Sequence, residues 1–322
     1  MRRVMITGAT GFVGANLARH LLHEGHKVHL LVRHGYAPWR IEAIRDQVRL
    51  HEVDLSNLQS LTRVVGSIRP EWVFHLAAYG AYSSQTDVQQ MLQTNIIGTA
   101  NLVQACLETG FEALINTGSS SEYGFKDHAP AETEWLDPNS YYAVTKASAT
   151  LFCRYTAQSK NVPITTLRLY SVYGPYEEPT RLMPTLVLKG LRRELPPLVN
   201  PDIARDYVYV NDVNRAYLLA AAIKGQQLGA VYNVGTGIQT TLRQVVDVAR
   251  RILDIRAEPK WGTMENRSWD TNTWVSNNRH IQEVLGWRPQ YDFEAGFREM
   301  VTWFRDNPDV LEVYGERSPE VE

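Results

Sequence analysis

The sequence predicts a doubly wound α/β fold, a parallel sheet covered by helices on both faces, with a smaller lobe toward the C-terminus. Three observations predict it. A glycine-spaced turn follows the first apolar run. Runs of strand length then alternate with helix-length amphipathic stretches, and the alternation decays into Pro-rich loops after Gly174. At 322 residues the chain exceeds the usual size of a single core.

The elements follow in order. "RRVMITGA" reads as a buried strand, "GFVGANLARHLLHEG" as an amphipathic helix stopped by Gly25, and "KVHLLVR" as a second strand, which together make a βαβ unit. The pattern continues through "VRLHEVD" (strand), "LQSLTRVVGSI" (helix), "EWVFHLAA" (strand) and the long helix "VQQMLQTNIIGTANLVQACLETG". "EALINTGSS" (strand), "SYYAVTKASATLFCRYTAQSK" (long helix) and "PITTLRLYSVYG" (strand) complete it. Beyond Gly174, "PYEEP" and "ELPPLVNP" flank a helix-like "MPTLVLKGLRR". "RDYVYVNDVNRAYLLAAA" and "GAVYNVGTG" read as strand, helix and strand returning to the sheet, and "TLRQVVDVARRIL" reopens the lobe. This assigns 1–168 and 208–235 to a dinucleotide-type domain, and 169–207 and 236–322 to the lobe.

Bulk properties narrow the partners. Lys plus Arg (33) nearly balances Asp plus Glu (35), so no electrostatic footprint for nucleic acid or an anionic membrane is expected. No apolar run approaches the roughly 18 residues of a membrane-spanning helix, and no leader-like segment precedes the first strand, so a cytoplasmic protein is expected. Cys106 and Cys153 lack metal-ligand spacing. The histidines of "RHLLHEGHKVH" read as a helix C-terminus, where imidazolium suits the dipole, and no metal is expected.

"GATGFVG" sets Gly8, Gly11 and Gly14 directly between a strand and a helix, with Phe12 and Val13 in the same turn. Glycine there permits the tight turn, close approach of a pyrophosphate and close helix packing, while the helix N-terminus offers free N–H groups. The second strand ends in Arg33 with no acid. An acid there bonds an adenosine ribose 2′-OH, whereas arginine accommodates a 2′-phosphate, so NADP is expected ahead of NAD. Asp54, with Leu55 after it, is an adenine-side candidate.

"YYAVTK" puts Tyr142 and Lys146 four residues apart on one helix face. A phenol near pKa ~10 is a poor base, but a cation about 4 Å away at an effective dielectric of about 20 is worth roughly 4 kcal/mol, or about 3 pKa units before desolvation is subtracted, which would bring a tyrosine near physiological pH. Such a tyrosine passes a proton while a nicotinamide moves hydride at the same carbon.

These motifs, with "HLAA" at 75–78, "NIIGT" at 95–99, the Ser119 region, "YSVYGP" at 170–175, "RDYVYVNDV" at 205–213, "YNVGTG" at 232–237 and "LGWRP" at 285–289, stand in a familiar order. The chain resembles an extended short-chain dehydrogenase/reductase of the nucleotide-sugar epimerase, dehydratase and 4-ketoreductase group over nearly its whole length. The resemblance implies a Rossmann sheet, a nucleotide-diphosphate sugar as substrate, and a homodimer through helices at about 89–109 and 140–158. It implies Ser119 as the hydroxyl on the reacting sugar oxygen, Tyr142 as acid/base and Lys146 on the nicotinamide ribose. Ala77, Ala78, Asn95 and Tyr170 fall on the cofactor side, and Ser83, Ser121, Ser171, Arg205 and Arg267 on the substrate side. One departure stands at Ser171, where many members carry asparagine.

The reaction turns on "GSSSEYG". Sugar dehydratases of this group carry carboxylates directly after the catalytic threonine, and counting back from Tyr123-Gly124 the dehydratase glutamate position holds Ser121. Glu122 lies one residue late. If the segment stays extended, Ser119 and Ser121 share a face and Glu122 points away. An NDP-4-keto-6-deoxyhexose reductase or an NDP-hexose 4-epimerase is therefore expected, with a 4,6-dehydratase as the alternative and a non-catalytic NADP-binding sensor as the rival of another class.

Overall fold

The computed structural model describes residues 1–225, 227–264 and 271–317. The first apolar run forms β1 (Arg3–Thr7), and Gly11 caps α1 (Phe12–His23). There follow β2 (Lys27–Val32), β3 (Arg49–Glu52), α2 (Leu58–Ile68) and β4 (Trp72–His75). Asn57 starts α2 by accepting the Ser60 N–H at 3.0 Å, satisfying one of the donors that a helix N-terminus leaves open.

The long helix expected at 88–110 is interrupted. It runs as α3 (Val88–Met91), a π segment (Leu92–Ile97) and α4 (Gly98–Thr109). The widened turn carries Asn95, whose side chain accepts from Tyr79 N–H and donates to Tyr79 C=O, both at 2.8 Å. Single π turns of this kind re-aim a side chain within a helix.

Next come β5 (Ala113–Ser119), a 3₁₀ turn (Ser120–Tyr123) and α5 (Tyr141–Lys160), which starts on the Ser140 side chain and ends at Asn161 in the left-handed region. The expected strand 163–174 also divides. β6 (Ile164–Leu169) stays in the sheet, whereas β7 (Ser171–Tyr173) leaves it to pair with β9 (Tyr207–Tyr209). The break falls at Tyr170, whose N–H still bonds Val234 C=O, while Ser171 N–H turns to Asp206 C=O.

The remainder comprises α6 (Leu182–Leu191), β8 (Ala204–Arg205), α7 (Val210–Ala222), β10 (Val231–Val234), β11 (Thr240–Thr241), α8 (Leu242–Leu253), α9 (Arg279–Leu285), α10 (Phe293–Asp306) and α11 (Pro308–Arg317). Among the described residues the main sheet has seven strands in the order β10-β6-β5-β4-β1-β2-β3, with every pair parallel. This is the Rossmann arrangement with one added edge strand. The order reverses between β1 and β4, so a crevice opens beyond the carboxyl ends of these strands.

Apolar residues cluster on both faces of the sheet. α1 and α7 cover one side, and α2, α4 and α5 the other. A separate apolar cluster under α6, α8, α10 and α11, including Met183, Leu186, Val246, Phe297 and Phe304, forms the core of the lobe. One piece of 236–322 returns to the sheet: α9 and Trp287 pack in the sheet core, and the Trp287 indole donates to Asp212 C=O at 2.8 Å.

Candidate active site

The crevice is one continuous cleft of about 2380 Å³, lined from the glycine turn past Ser119 and Tyr142 to lobe residues Arg181, Arg205 and Trp274. A pocket for one drug-sized molecule needs about 300–1,000 Å³, so this cleft has room for two ligands.

The glycine turn has the stereochemistry that its spacing implies. Gly8 is left-handed (φ +70°), and a Cβ there would lie 2.5 Å from the Ala77 nitrogen. A Cβ on Gly14 would lie 2.3 Å from Gly8 O, so α1 can approach the turn only with glycine at that position. Gly11 differs, because its Cβ would meet only Gly8 O at 3.2 Å, and as N-cap it places no side chain over the first N–H groups of α1. A cradle that a Cβ would fill, facing open helix donors, fits a dinucleotide pyrophosphate. Phe12 and Val13 line the same end of the cleft.

Arg33, exposed just beyond β2, lines the cleft with His34, Asp54 and Leu55. Asp54 accepts Ser56 N–H at 2.8 Å. Ala77 and Ala78 form the cleft wall after β4, where Ala77 N–H is fixed by the Thr7 hydroxyl. A buried relay holds that hydroxyl: Thr7 Oγ1 lies 2.7 Å from His75 Nδ1, and His75 Nε2 lies 2.8 Å from Thr99 Oγ1. Burial pushes His75 down to about 3, so its ring is neutral. Tyr170 also lines the cleft, with its buried hydroxyl unpaired.

Asn95 stands apart from the expected cofactor set. It is buried outside the cleft lining, and its Nδ2 also donates to Thr145 Oγ1 at 2.9 Å, so it ties the wall at Tyr79 to α5. Its amide has its partners within the protein.

At the end of β5 the structure brings together Ser119, Ser121, Tyr142 and Lys146. The Ser119 and Ser121 hydroxyls are 2.8 Å apart, and both line the cleft with Tyr142 and Lys146. The segment does not stay extended, however. It curls into the 3₁₀ turn through a capping box: Ser119 Oγ accepts Ser121 N–H at 3.2 Å, and Glu122 Oε1 accepts Ser119 N–H at 2.8 Å. Glu122 is fully buried and lies outside the cleft lining, bonded to Thr150 Oγ1 at 3.0 Å and to Arg168 Nε at 2.8 Å. It points away from the cleft, as expected, but the capping box accounts for this where an alternating strand was assumed.

The electrostatics correct a second expectation. Tyr142 is pushed up to about 12, mainly by burial. A hydrogen bond from Ser119 and the charge of Arg181 oppose the shift, while Glu122 and Tyr82 add to it. Lys146 is itself pushed down by burial, and Glu122 is the strongest group favouring its ammonium form. Without ligand, desolvation of both groups outweighs the through-space help that their spacing suggested.

Ser83, in the loop after β4, and Ser171, at the start of β7, line the cleft. Arg205 donates to Ala204 C=O at 2.8 Å and lies 5.5 Å from the Trp274 ring. Arg267 lies outside the described residues. Sequence reasoning missed Glu177 and Arg181, which line the cleft beside Tyr82. It also missed Arg40, which clamps the lobe loop to the sheet domain through Tyr176 C=O and the Glu178 carboxylate, both at 2.8 Å. The acids and arginine of "YEEPTR" were the available signal, masked by a Pro-rich context.

A Rossmann sheet, a glycine cradle at its switch point and a Ser-Tyr-Lys set at the same crevice define a nucleotide-dependent oxidoreductase of the extended short-chain dehydrogenase/reductase class. The chain belongs to the NAD-dependent epimerase/dehydratase family, whose model matches residues 4–235. It is 27% identical over 318 residues to a UDP-glucose 4-epimerase of Mycolicibacterium smegmatis, covering 94% of this chain and 99% of the relative. It is 26% identical to a dTDP-glucose 4,6-dehydratase of Neisseria meningitidis serogroup B, covering 95% and 94%. Among solved structures, a UDP-glucose 4-epimerase with UDP-glucose from Thermotoga maritima superposes with a TM-score of 0.85 at 28% identity, over 95% of this chain and 99% of that one. The UDP-glucose 4-epimerase of Thermus thermophilus in complex with NAD gives 0.82 at 28% identity, over 94% and 98%.

Proposed function

We propose that this protein transfers hydride at C4 of a nucleotide-activated hexose without dehydrating it, with NADPH reduction of an NDP-4-keto-6-deoxyhexose as the leading reading. One observation carries the exclusion of dehydration. Glu122, the carboxylate next in sequence to the Ser119–Ser121 pair, is held by Ser119 N–H, Thr150 and Arg168, and the dehydratase position beside it holds Ser121. Removal of a C5 proton with loss of the C6 hydroxyl needs an acid/base in that place.

A nicotinamide dinucleotide bound at the glycine cradle would supply or accept the hydride. The chain's own residues do the rest. Ser119 Oγ hydrogen-bonds the C4 oxygen, and Tyr142 Oη gives that oxygen its proton on reduction or removes it on oxidation. Lys146, buried beside Tyr142, holds the nicotinamide ribose. The paired Ser119 and Ser121 hydroxyls, 2.8 Å apart, can pass a hydrogen bond along while remaining oriented. Arg181 and Arg205 suit the nucleotide diphosphate. The complete Ser-Tyr-Lys set argues against a sensor without turnover.

Arg33, exposed on the cleft with no acid at the end of β2, favours the 2′-phosphorylated cofactor. The relatives named as UDP-glucose 4-epimerases, one of them solved with NAD, support a second reading, 4-epimerisation with retained NAD. A homodimer is supported by exposed apolar side chains on the π segment and α5, namely Leu92, Ile97, Val144, Leu151, Phe152 and Tyr155. No helix among the described residues is long and apolar enough to cross a membrane. Two buried free cysteines suit the reducing cytoplasm.

Tyr142→Phe tests the assignment. Turnover should fall to background while NADPH, followed by its fluorescence, still binds; a fully active variant would overturn it. Arg33→Ala should weaken NADPH more than NADH, and equal losses for both would remove the NADP reading.

A further inference from the structure

Glu122 has no place in the proton transfers above, yet it is tied into the catalytic set more tightly than any other acid. Its Oε1 accepts from the Ser119 amide at 2.8 Å and from Thr150 Oγ1 at 3.0 Å, and its Oε2 accepts from Arg168 Nε at 2.8 Å. Three elements meet there. Ser119 ends β5, Arg168 lies on β6, and Thr150 lies on α5, four and eight residues after Lys146 and Tyr142 on the same face.

The surroundings are built for a charge. Glu122 is fully buried, and the Arg168 side chain is 3% exposed. Arg168 is completed by Tyr123 Oη at 2.8 Å, and that hydroxyl donates to Asn233 Oδ1 at 2.8 Å. Room for the carboxylate comes from Gly118, where a Cβ would lie 2.7 Å from Glu122 Oε1. A buried ion pair is poor evidence of stability, since an apolar pair of similar volume often serves as well, and its retention calls for another role.

We propose that Glu122 is a positioning residue for the Ser-Tyr-Lys set: its carboxylate locks the Ser119 backbone to Thr150, one turn beyond Lys146 on α5, and so fixes a negative charge behind the helix face that carries Tyr142 and Lys146. This rests on the hydride-transfer reading for its turnover arm alone. Lys146 is faced by Glu122 from the 3₁₀ turn, by Cys153 from its own helix and by His75 from β4. Tyr142 is faced by Ser119 and Glu122, by Tyr82 and Arg181 across the cleft, and by Tyr217 of α7. Burial lowers Lys146, and Glu122 opposes this most strongly; Glu122 also raises Tyr142. Removing its charge therefore moves both titrations to lower pH.

The experiment compares wild type, Glu122→Gln and Glu122→Val/Arg168→Met. Three readouts are taken: melting temperature, the NADPH dissociation constant from pH 6 to 10, and kcat with KM over the same range. The double variant replaces the pair with apolar groups and should keep the fold. The expected result is a cooperative melt at a lower temperature, because the Ser119 N–H and the Thr150 hydroxyl lose their acceptor, with kcat lower by roughly 10- to 100-fold, a smaller change in KM, and an alkaline limb of NADPH binding displaced to lower pH. Glu122→Gln should show the same displaced limb. Wild-type kcat and an unmoved limb in the double variant would reduce Glu122 to a packing element and overturn the proposal. A wild type inactive on every nucleotide hexose would sink the hydride-transfer reading, while the NADPH-binding limb would still decide the role of Glu122.

Discussion

Glu177→Gln should change the pH dependence of stability in a way that its position on the cleft wall dictates. The Glu177 carboxyl is buried, its Oε2 has no hydrogen-bond partner, and burial pushes it from 4.5 up to about 8 against the opposing charge of Arg181, whose Nε lies 3.8 Å away. An acid whose folded value lies above its unfolded one keeps a proton that the unfolded chain has released. Folding stability therefore falls as pH rises from about 4.5 to about 8, then levels off. At about 1.36 kcal/mol per pH unit, that interval amounts to about 5 kcal/mol. Glutamine has no proton to lose, so the variant should gain on wild type by about 1.4 kcal/mol per pH unit between pH 5 and 8 and hold a constant advantage above. Urea midpoints followed by circular dichroism at pH 5, 6.5, 8 and 9.5, at fixed ionic strength, measure this. Parallel curves for the two proteins would mean that Glu177 titrates like a solvated carboxylate, and the burial argument would fail. The same neutrality lets Glu177 stand beside an anionic ligand at neutral pH with little repulsion.

Two glycines separate packing from ligand space. Gly14→Ala forces a Cβ to within 2.3 Å of Gly8 O, so it should cost about 1–3 kcal/mol in a denaturant melt as well as dinucleotide affinity. Gly11→Ala meets one atom at 3.2 Å and puts alanine at the N-cap of α1, so it should lower the melt by less than Gly14→Ala while weakening NADPH binding; a larger loss of stability than for Gly14→Ala with unchanged binding would contradict the cradle. The proposed homodimer predicts that the wild type sediments as a dimer and that Leu151→Glu, which places a charge in the exposed apolar stripe of α5, yields a folded monomer; a monomeric wild type or an unchanged sedimentation coefficient would contradict that interface.

The Rossmann half was legible because its signals are local. Gly8, Gly11 and Gly14 mark the switch point, and the change of hydrophobic period marks each strand and helix in turn. What the sequence concealed depends on partners distant in the chain. Nothing in "TTLRLYSVY" marks Tyr170 as the break between β6 and β7, since the ladder is redirected by Val234 and Asp206 carbonyls. The π turn at 92–97 answers to Tyr79, across the cleft wall. Glu122 was placed outside the cleft for an incomplete reason, although Ser119-x-x-Glu122 has capping-box spacing and was itself the clue. For Tyr142, helical spacing gives the distance to Lys146 but not the size of the desolvation that must be subtracted, and burial of both groups is the larger effect. Glu177 and Arg181 line the crevice through the loop that follows Gly174, a placement that the Pro-rich sequence there does not mark.

The most direct measurement offers the protein a panel of nucleotide hexoses and their 4-keto-6-deoxy forms, with and without NADPH, and follows absorbance at the reduced nicotinamide band together with product identity. Hydride transfer at C4 without dehydration predicts NADPH consumption with the 4-keto-6-deoxy sugars, or interconversion of C4 epimers without added reductant, and no 4-keto-6-deoxy product from a parent hexose. Appearance of that product without reductant would contradict the central claim, because an acid/base other than Glu122, which is held away from the cleft, would then have to act at C5 and C6.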